Sequence, residues 1–134
     1  MLSESEALLY WFLNVFFFAI HFILIVFNLF GWIFPRFRRL HLISIGITAF
    51  SWLILGAFYG WGYCFLTDWH YQIRNDLGLS VDSPSYIHFL LLRLGIDSIS
   101  SETTNIVTAV VFGGLVVISI LFNVKSVLKN KVEE

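Results

Sequence analysis

LLYWFLNVFFFAIHFILIVFNLFGWIF, residues 8–34, is followed at once by PRFRR, residues 35–39. The first stretch carries no charged side chain, and the second carries three arginines in five positions. A helix needs ~20 apolar residues to cross ~30 Å of hydrocarbon, so Leu8–Phe34 is long enough to span a bilayer. Pro35 interrupts the helix, and a second apolar run follows from Leu40 to Tyr63. A third runs from Asn105 to Val124. The expected fold is therefore all-α and integral to a membrane, a single domain over residues 1–134. Its spans lie at about residues 8–34, 40–63 and 105–124.

Composition agrees with lipid as the solvent. Of 134 residues, 58% are hydrophobic and 13% charged, and soluble domains carry about 25% charged residues. The mean hydropathy is +0.83. A net charge of −1 and the lack of a basic patch with interleaved aromatics argue against nucleic acid as a partner. Trp11, Trp32, Trp61 and Trp69 fall near expected span ends, where amphipathic rings favour the headgroup layer. Cys64 is the single cysteine, so no disulfide forms within the chain. Glu4 and Glu6 stand where a signal peptide would be basic, and no secretory leader is expected.

Charge gives a direction. Arg36, Arg38 and Arg39 follow the first span, and Lys125, Lys129 and Lys131 follow the third, whereas Arg74 and Arg93 alone lie between the second and third. The positive-inside tendency then predicts a cytoplasmic Arg turn and Lys tail, with the N-terminus outside and the C-terminus inside. A bacterial inner membrane is the expected location. Residues 64–104 become an outer cap of two short interfacial helices. Thr67 is expected to start the first of these, with Asp68 in its first turn, and Gly78 to follow its end. Ser83 and Pro84 are expected to open the second, Tyr86–Leu94, which Gly95 ends. That run is too short to cross a bilayer. Treating it as a fourth span would place the Arg turn and the Lys tail on opposite sides.

Two polar stripes stand inside the spans. Asn14, His21 and Asn28 are seven residues apart, nearly two turns, and so share a face. Ser44, Thr48 and Ser51 share a face of the second span. Across a tight hairpin the stripes can meet, with Asn28 level with Ser44 and Thr48, His21 level with Ser51 and Trp52, and Asn14 level with Tyr59. Such contacts hold membrane helices together at roughly 0.6–2 kcal/mol each. A mid-membrane histidine such as His21 is either a neutral packed side chain or part of a proton, ion or cofactor path.

At the outer end of the second span lie Cys64, Asp68, His70 and Arg74, with His88 on the short helix expected to fold back over them. Cys, His and Asp are metal ligands, so Cys64, Asp68, His70 and His88, with His21 beneath, form a candidate site for a metal ion or haem. No CxxC, HxxxH or HExxH spacing accompanies them, and the same residues also suit helix capping and interfacial anchoring. His21 and His41 differ in depth by roughly 15 Å, too far to ligate one haem. No complete catalytic set is present. The leading expectation is a non-catalytic accessory or assembly subunit of a larger membrane complex or homo-oligomer. The alternative is a redox or metal-binding membrane protein using Cys64, His70 and His88.

Four short motifs carry a family likeness: His21 in an apolar first helix, Leu40-His41-Leu42 after a Pro-Arg turn, Gly62-Tyr63-Cys64-Phe65-Leu66-Thr67 before Trp69, and His88-Phe89-Leu90. Over roughly residues 15–92 the chain resembles the small bacterial membrane proteins of domain-of-unknown-function family twenty-seven eighty-four. The family pattern has Cys-Pro-Leu-Thr followed by Glu, and His-Tyr-Leu. Here Phe65 replaces the proline and His70 stands at the glutamate, exchanging a carboxylate for an imidazole. The resemblance implies no activity. It directs attention to His21, His41, Cys64, Thr67 and His88.

Overall fold

A computed structural model describes all residues, Met1–Glu134. It is helical throughout, without strands. The helices are α1 (Glu4–Phe30), α2 (Arg38–Phe50), α3 (Gly56–Tyr59), α4 (Phe65–Asp76), α5 (Tyr86–Arg93) and α6 (Ser101–Glu133). Two 3-10 turns, Gly31–Ile33 and Pro35–Phe37, join α1 to α2, and a π-helical turn, Ser51–Leu55, joins α2 to α3. Three segments are long and apolar enough to cross a membrane: Glu4–Ile33, Pro35–Tyr59 and Ser101–Glu133.

The chain forms two compact units, residues 1–21 with 64–110 and residues 22–63 with 111–134. In the second, Asn28 anchors a polar network. Its amide nitrogen donates to Thr48 Oγ1 at 3.1 Å, and its Oδ1 accepts from the Ser44 hydroxyl at 2.5 Å. Fully buried His41 donates through Nε2 to the Asn28 carbonyl at 2.8 Å, which leaves Nδ1 to accept from Ser119 Oγ at 3.0 Å. The end of α1 would otherwise leave carbonyls unpaired. His41 takes that of Asn28, and the Trp32 indole takes that of Leu29 at 2.9 Å. Asn123 ties α6 to the start of α2, donating to the Arg38 carbonyl at 3.1 Å.

The second span is shorter than its hydropathy suggests. Helix ends at Tyr59 rather than Tyr63, because Gly60 and Gly62 adopt φ of 115° and 81°, which L side chains rarely tolerate. The chain doubles back: Gly62 N–H donates to the Trp52 carbonyl at 3.3 Å, and Ser51 Oγ donates to the Tyr63 carbonyl at 2.9 Å. A Cβ on Gly56 would lie 3.3 Å from the Trp61 Cα, so a small residue lets the return pass close. The π turn spanning Ser51–Leu55 lies where this return bonds the helix. The third helix is longer than its apolar core, starting at Ser101 under a Ser100 cap and continuing through the lysine tail.

Two capping assignments differ from expectation. α4 begins at Phe65, so Thr67 is a buried residue inside its first turn rather than its cap. α5 is capped by Ser85, whose Oγ accepts from the His88 N–H at 3.4 Å, and not by Ser83. Apolar neighbours explain the first shift: Phe65 packs edge-on against Trp69 at 5.5 Å, which is reached by winding the helix one turn earlier.

Candidate functional site

The unit of residues 1–21 and 64–110 holds the densest set of buried polar side chains, supplied by α1, α4 and α5. α1 contributes Asn14 and His21, both buried. Their seven-residue spacing keeps them on one face. α4 contributes His70, fully buried, with Tyr71 next to it in sequence and Arg74 one turn on. α5 opens with Tyr86, whose ring sits at 5% exposure. Phe89, one turn on, fills the space beside it.

Tyr86 is the centre. Its ring stacks on His21 with centroids 3.8 Å apart and planes 17° apart, and lies 5.7 Å from His70 and 6.2 Å from Tyr71. His70 Nε2 faces Asn14 Oδ1 at 2.9 Å. A carboxamide oxygen only accepts, so Nε2 carries the proton and Nδ1 of His70 is a bare acceptor. Cys64, half-buried at the start of α4, puts Sγ 3.8 Å from His21 Nε2.

Four buried polar atoms here have no partner within the chain: His21 Nδ1, His70 Nδ1, Tyr71 Oη and Tyr86 Oη. Each unmet group costs about 1–3 kcal/mol, so their concentration in one unit is uneconomic for a purely structural core. Burial, and then the Arg74 charge, push the His70 pKa down to about 4, so its ring is neutral at physiological pH. Burial likewise raises the Tyr71 and Tyr86 phenols, keeping both protonated. The arrangement therefore offers neutral donors and acceptors, one thiol and two imidazoles.

Arg74, itself 5% exposed, is held by the Ser80 carbonyl at 2.8 Å from Nη2 and lies 5.0 Å over Phe89. Burial and the neighbouring Arg93 lower its pKa.

The residues expected to form a metal or haem site are only partly brought together. His21 and Cys64 meet, and His70 joins them through Tyr86. His88 does not join. Its Nε2 donates to the Ile99 carbonyl at 3.0 Å, so Nδ1 accepts from Ser83 Oγ at 2.8 Å, and both ring nitrogens are taken by the segments that flank α5. Asp68 accepts from Gln72 on its own helix at 3.0 Å. No three His, Cys, Asp or Glu side chains converge as a metal ion requires.

The α1 polar stripe also divides. Asn28 meets Ser44 and Thr48, but Asn14 pairs with His70 and His21 stacks on Tyr86. Ser51 turns to the Tyr63 carbonyl. Sequence reasoning missed Tyr71 and Tyr86. The available signals are a phenol at the first position of the short helix α5 and a second three residues before Arg74.

No curated protein and no solved structure matches the chain. A family model matches residues 11–124, which include every residue of the His21–Tyr86 cluster. The chain therefore belongs to the family described as Protein of Unknown function (DUF2784).

Proposed function

We propose that the protein is a non-catalytic multi-pass membrane protein, N-terminus outside and C-terminus cytoplasmic, that serves as an accessory or assembly subunit of a larger membrane complex or a homo-oligomer. A bacterial inner membrane is the compartment this reading assigns, and lipid its immediate surroundings. The surface of α6 carries the reading. Val111, Val117, Ile120 and Leu121 are exposed along it, and nothing lies within 4 Å of a Cβ placed on Gly113 or Gly114. Small residues on an open, apolar helix let another helix approach closely. Gentle extraction from the native membrane, followed by mass measurement of the intact particle, tests the proposal. A defined set of chains that separates in Gly113→Ile or Gly114→Ile supports it. A lone monomer at every concentration sinks it. Reporter fusions at each terminus test the orientation independently.

A second reading is favoured by the four unpartnered buried atoms around Tyr86. In it, His21, Cys64, His70 and Tyr86 hold a small polar ligand or a cofactor, giving the protein a redox or ligand-handling role. A metal ion would need donors beyond this set, because no three protein ligands converge. Metal analysis and an absorption spectrum of the natively extracted protein test this reading. It requires a stoichiometric species that is lost in Cys64→Ser or His21→Phe, and an identical clean spectrum with no bound small molecule removes it.

A further inference from the structure

Six of the eight Lys and Arg side chains lie in the unit of residues 22–63 and 111–134, whose only acidic side chains are Glu133 and Glu134. Glu133 is engaged by Lys129 at 3.8 Å. Arg36, Arg38 and Arg39 consequently have no carboxylate partner. They line a cleft of about 360 Å³ together with Asn123 and Ser126.

Arg38 is fixed within it. Its Nε donates to the Trp32 carbonyl at 3.1 Å, and its guanidinium lies 4.1 Å over the Phe122 ring. Its two Nη groups make no bond to the protein. Asn123 uses its amide nitrogen on the Arg38 and Ser119 carbonyls, which orders the opposite wall. α2 starts at Arg38 with no side-chain cap, so the positive end of its dipole adds to the field.

The turn that carries these arginines also lines an apolar groove. It has a volume of about 440 Å³ and is walled by Phe22, Val26, Phe30, Phe34, Phe37 and Leu40. Residues 34–40 thus line a cationic cleft through Arg36, Arg38 and Arg39 and an apolar groove through Phe34, Phe37 and Leu40. The turn joins two membrane-length segments, Glu4–Ile33 and Pro35–Tyr59, which places it at headgroup depth in a bilayer. The anion present there in quantity is a lipid phosphate, and basic pockets at that depth bind anionic headgroups. Guanidinium pairs a phosphate with two parallel hydrogen bonds, where an ammonium acts as a point charge.

We propose that this unit binds an anionic phospholipid, its phosphate in the cleft of Arg36, Arg38 and Arg39 and an acyl chain in the groove of Phe22 to Leu40. Charge complementarity selects the headgroup, and the groove selects a lipid over a soluble anion.

The test is native mass spectrometry of the full chain released from nanodiscs of equimolar phosphatidylcholine and phosphatidylglycerol. Wild type should retain phosphatidylglycerol in preference to phosphatidylcholine. The pair Arg36→Gln with Arg39→Gln leaves the packed Arg38 untouched and should weaken that preference ~30-fold, at about fivefold per cation. The pair Lys129→Gln with Lys131→Gln removes the same charge away from the cleft and should leave the preference intact. Equal losses in the two variants would show diffuse attraction and overturn the site, as would retention without headgroup preference. Displacement of the lipid by inorganic phosphate alone would overturn the lipid assignment in favour of a soluble anion. A co-purifying protein lost only in the arginine variant, with lipid retention unchanged, would make the cleft a protein contact and overturn it too.

Discussion

The imidazole of His21 and the phenol of Tyr86 lie face to face, ring centroids 3.8 Å apart, although 65 positions separate them in the chain. The stack joins the apolar first helix to a short helix of eight residues, and it leaves His21 Nδ1 and Tyr86 Oη buried without a partner in the protein. Shape and hydrogen bonding at Tyr86 can therefore be separated by substitution. Tyr86→Phe keeps the ring and removes an unmet hydroxyl, so the purified protein should change by less than about 1 kcal/mol, or gain slightly. Tyr86→Ala removes the ring and should cost about 3–5 kcal/mol. Thermal melting in a single detergent compares the two. A large loss in Tyr86→Phe would mean that the hydroxyl has a partner that co-purifies.

His41 should be a structural linchpin. It is fully buried and joins the Asn28 carbonyl to the Ser119 hydroxyl. His41→Ala orphans both and opens a cavity, so a loss of about 2–4 kcal/mol is expected. Ser119→Ala should cost less, about 1 kcal/mol, and the double variant little beyond His41→Ala, because the two changes remove one shared bond. Additive losses would show that the His41–Ser119 bond contributes nothing.

Acid should destabilise the protein through His70. Its folded pKa lies at about 4, below the ordinary value of 6.5, because burial and the Arg74 charge disfavour its cation. Between those values the unfolded chain binds a proton that the folded chain does not, so stability falls as pH drops. The contribution is complete above pH 6.5 and lost by about pH 4. His70→Gln should keep a hydrogen bond to Asn14 and flatten the melting temperature across that window. An unchanged slope in the variant would assign the acid sensitivity to other groups.

The return over the second span depends on glycine conformation. Gly62→Ala must adopt φ near 81° and should cost about 1–2 kcal/mol. Gly113→Ala has open space around its Cβ and ordinary helical geometry, so the isolated chain should gain up to about 1 kcal/mol. Melting of both variants in dilute detergent distinguishes a strained turn from a permissive helix. Equal effects would contradict the conformational argument.

The three apolar runs, the arginine turn and the ends of α4 and α5 before Gly78 and Gly95 were legible in the sequence, because each rests on a local rule. Apolar length sets a membrane-crossing helix, proline interrupts one, and glycine at positive φ ends one. The meeting of Asn28 with Ser44 and Thr48 was legible too, since a tight hairpin fixes which residues sit level close to the turn, whereas the same count set His21 against Ser51 and Asn14 against Tyr59, and their partners are Tyr86 and His70. The cluster around Tyr86 was not. Seven-residue spacing puts Asn14, His21 and Asn28 on one face of α1, but a face has width, and spacing alone does not say which neighbour covers each part of it. Similarly, residues 60–63 read as continuing helix by hydropathy, and only the backbone of Gly60 and Gly62 turns them back.

Sequence by itself determined that this chain is helical, that three of its segments can cross a membrane, and that its charge is gathered on the turn after the first and the tail after the third. Tertiary structure alone decided that His70 pairs with Asn14, that His88 bonds Ser83 and the Ile99 carbonyl on either side of α5, and that His21 stacks on Tyr86. The reason is physical. Solvent preference and helix limits act within one contiguous segment, whereas the partner of a buried polar group is chosen by packing between segments far apart in the chain, where one imidazole can satisfy itself in several competing ways.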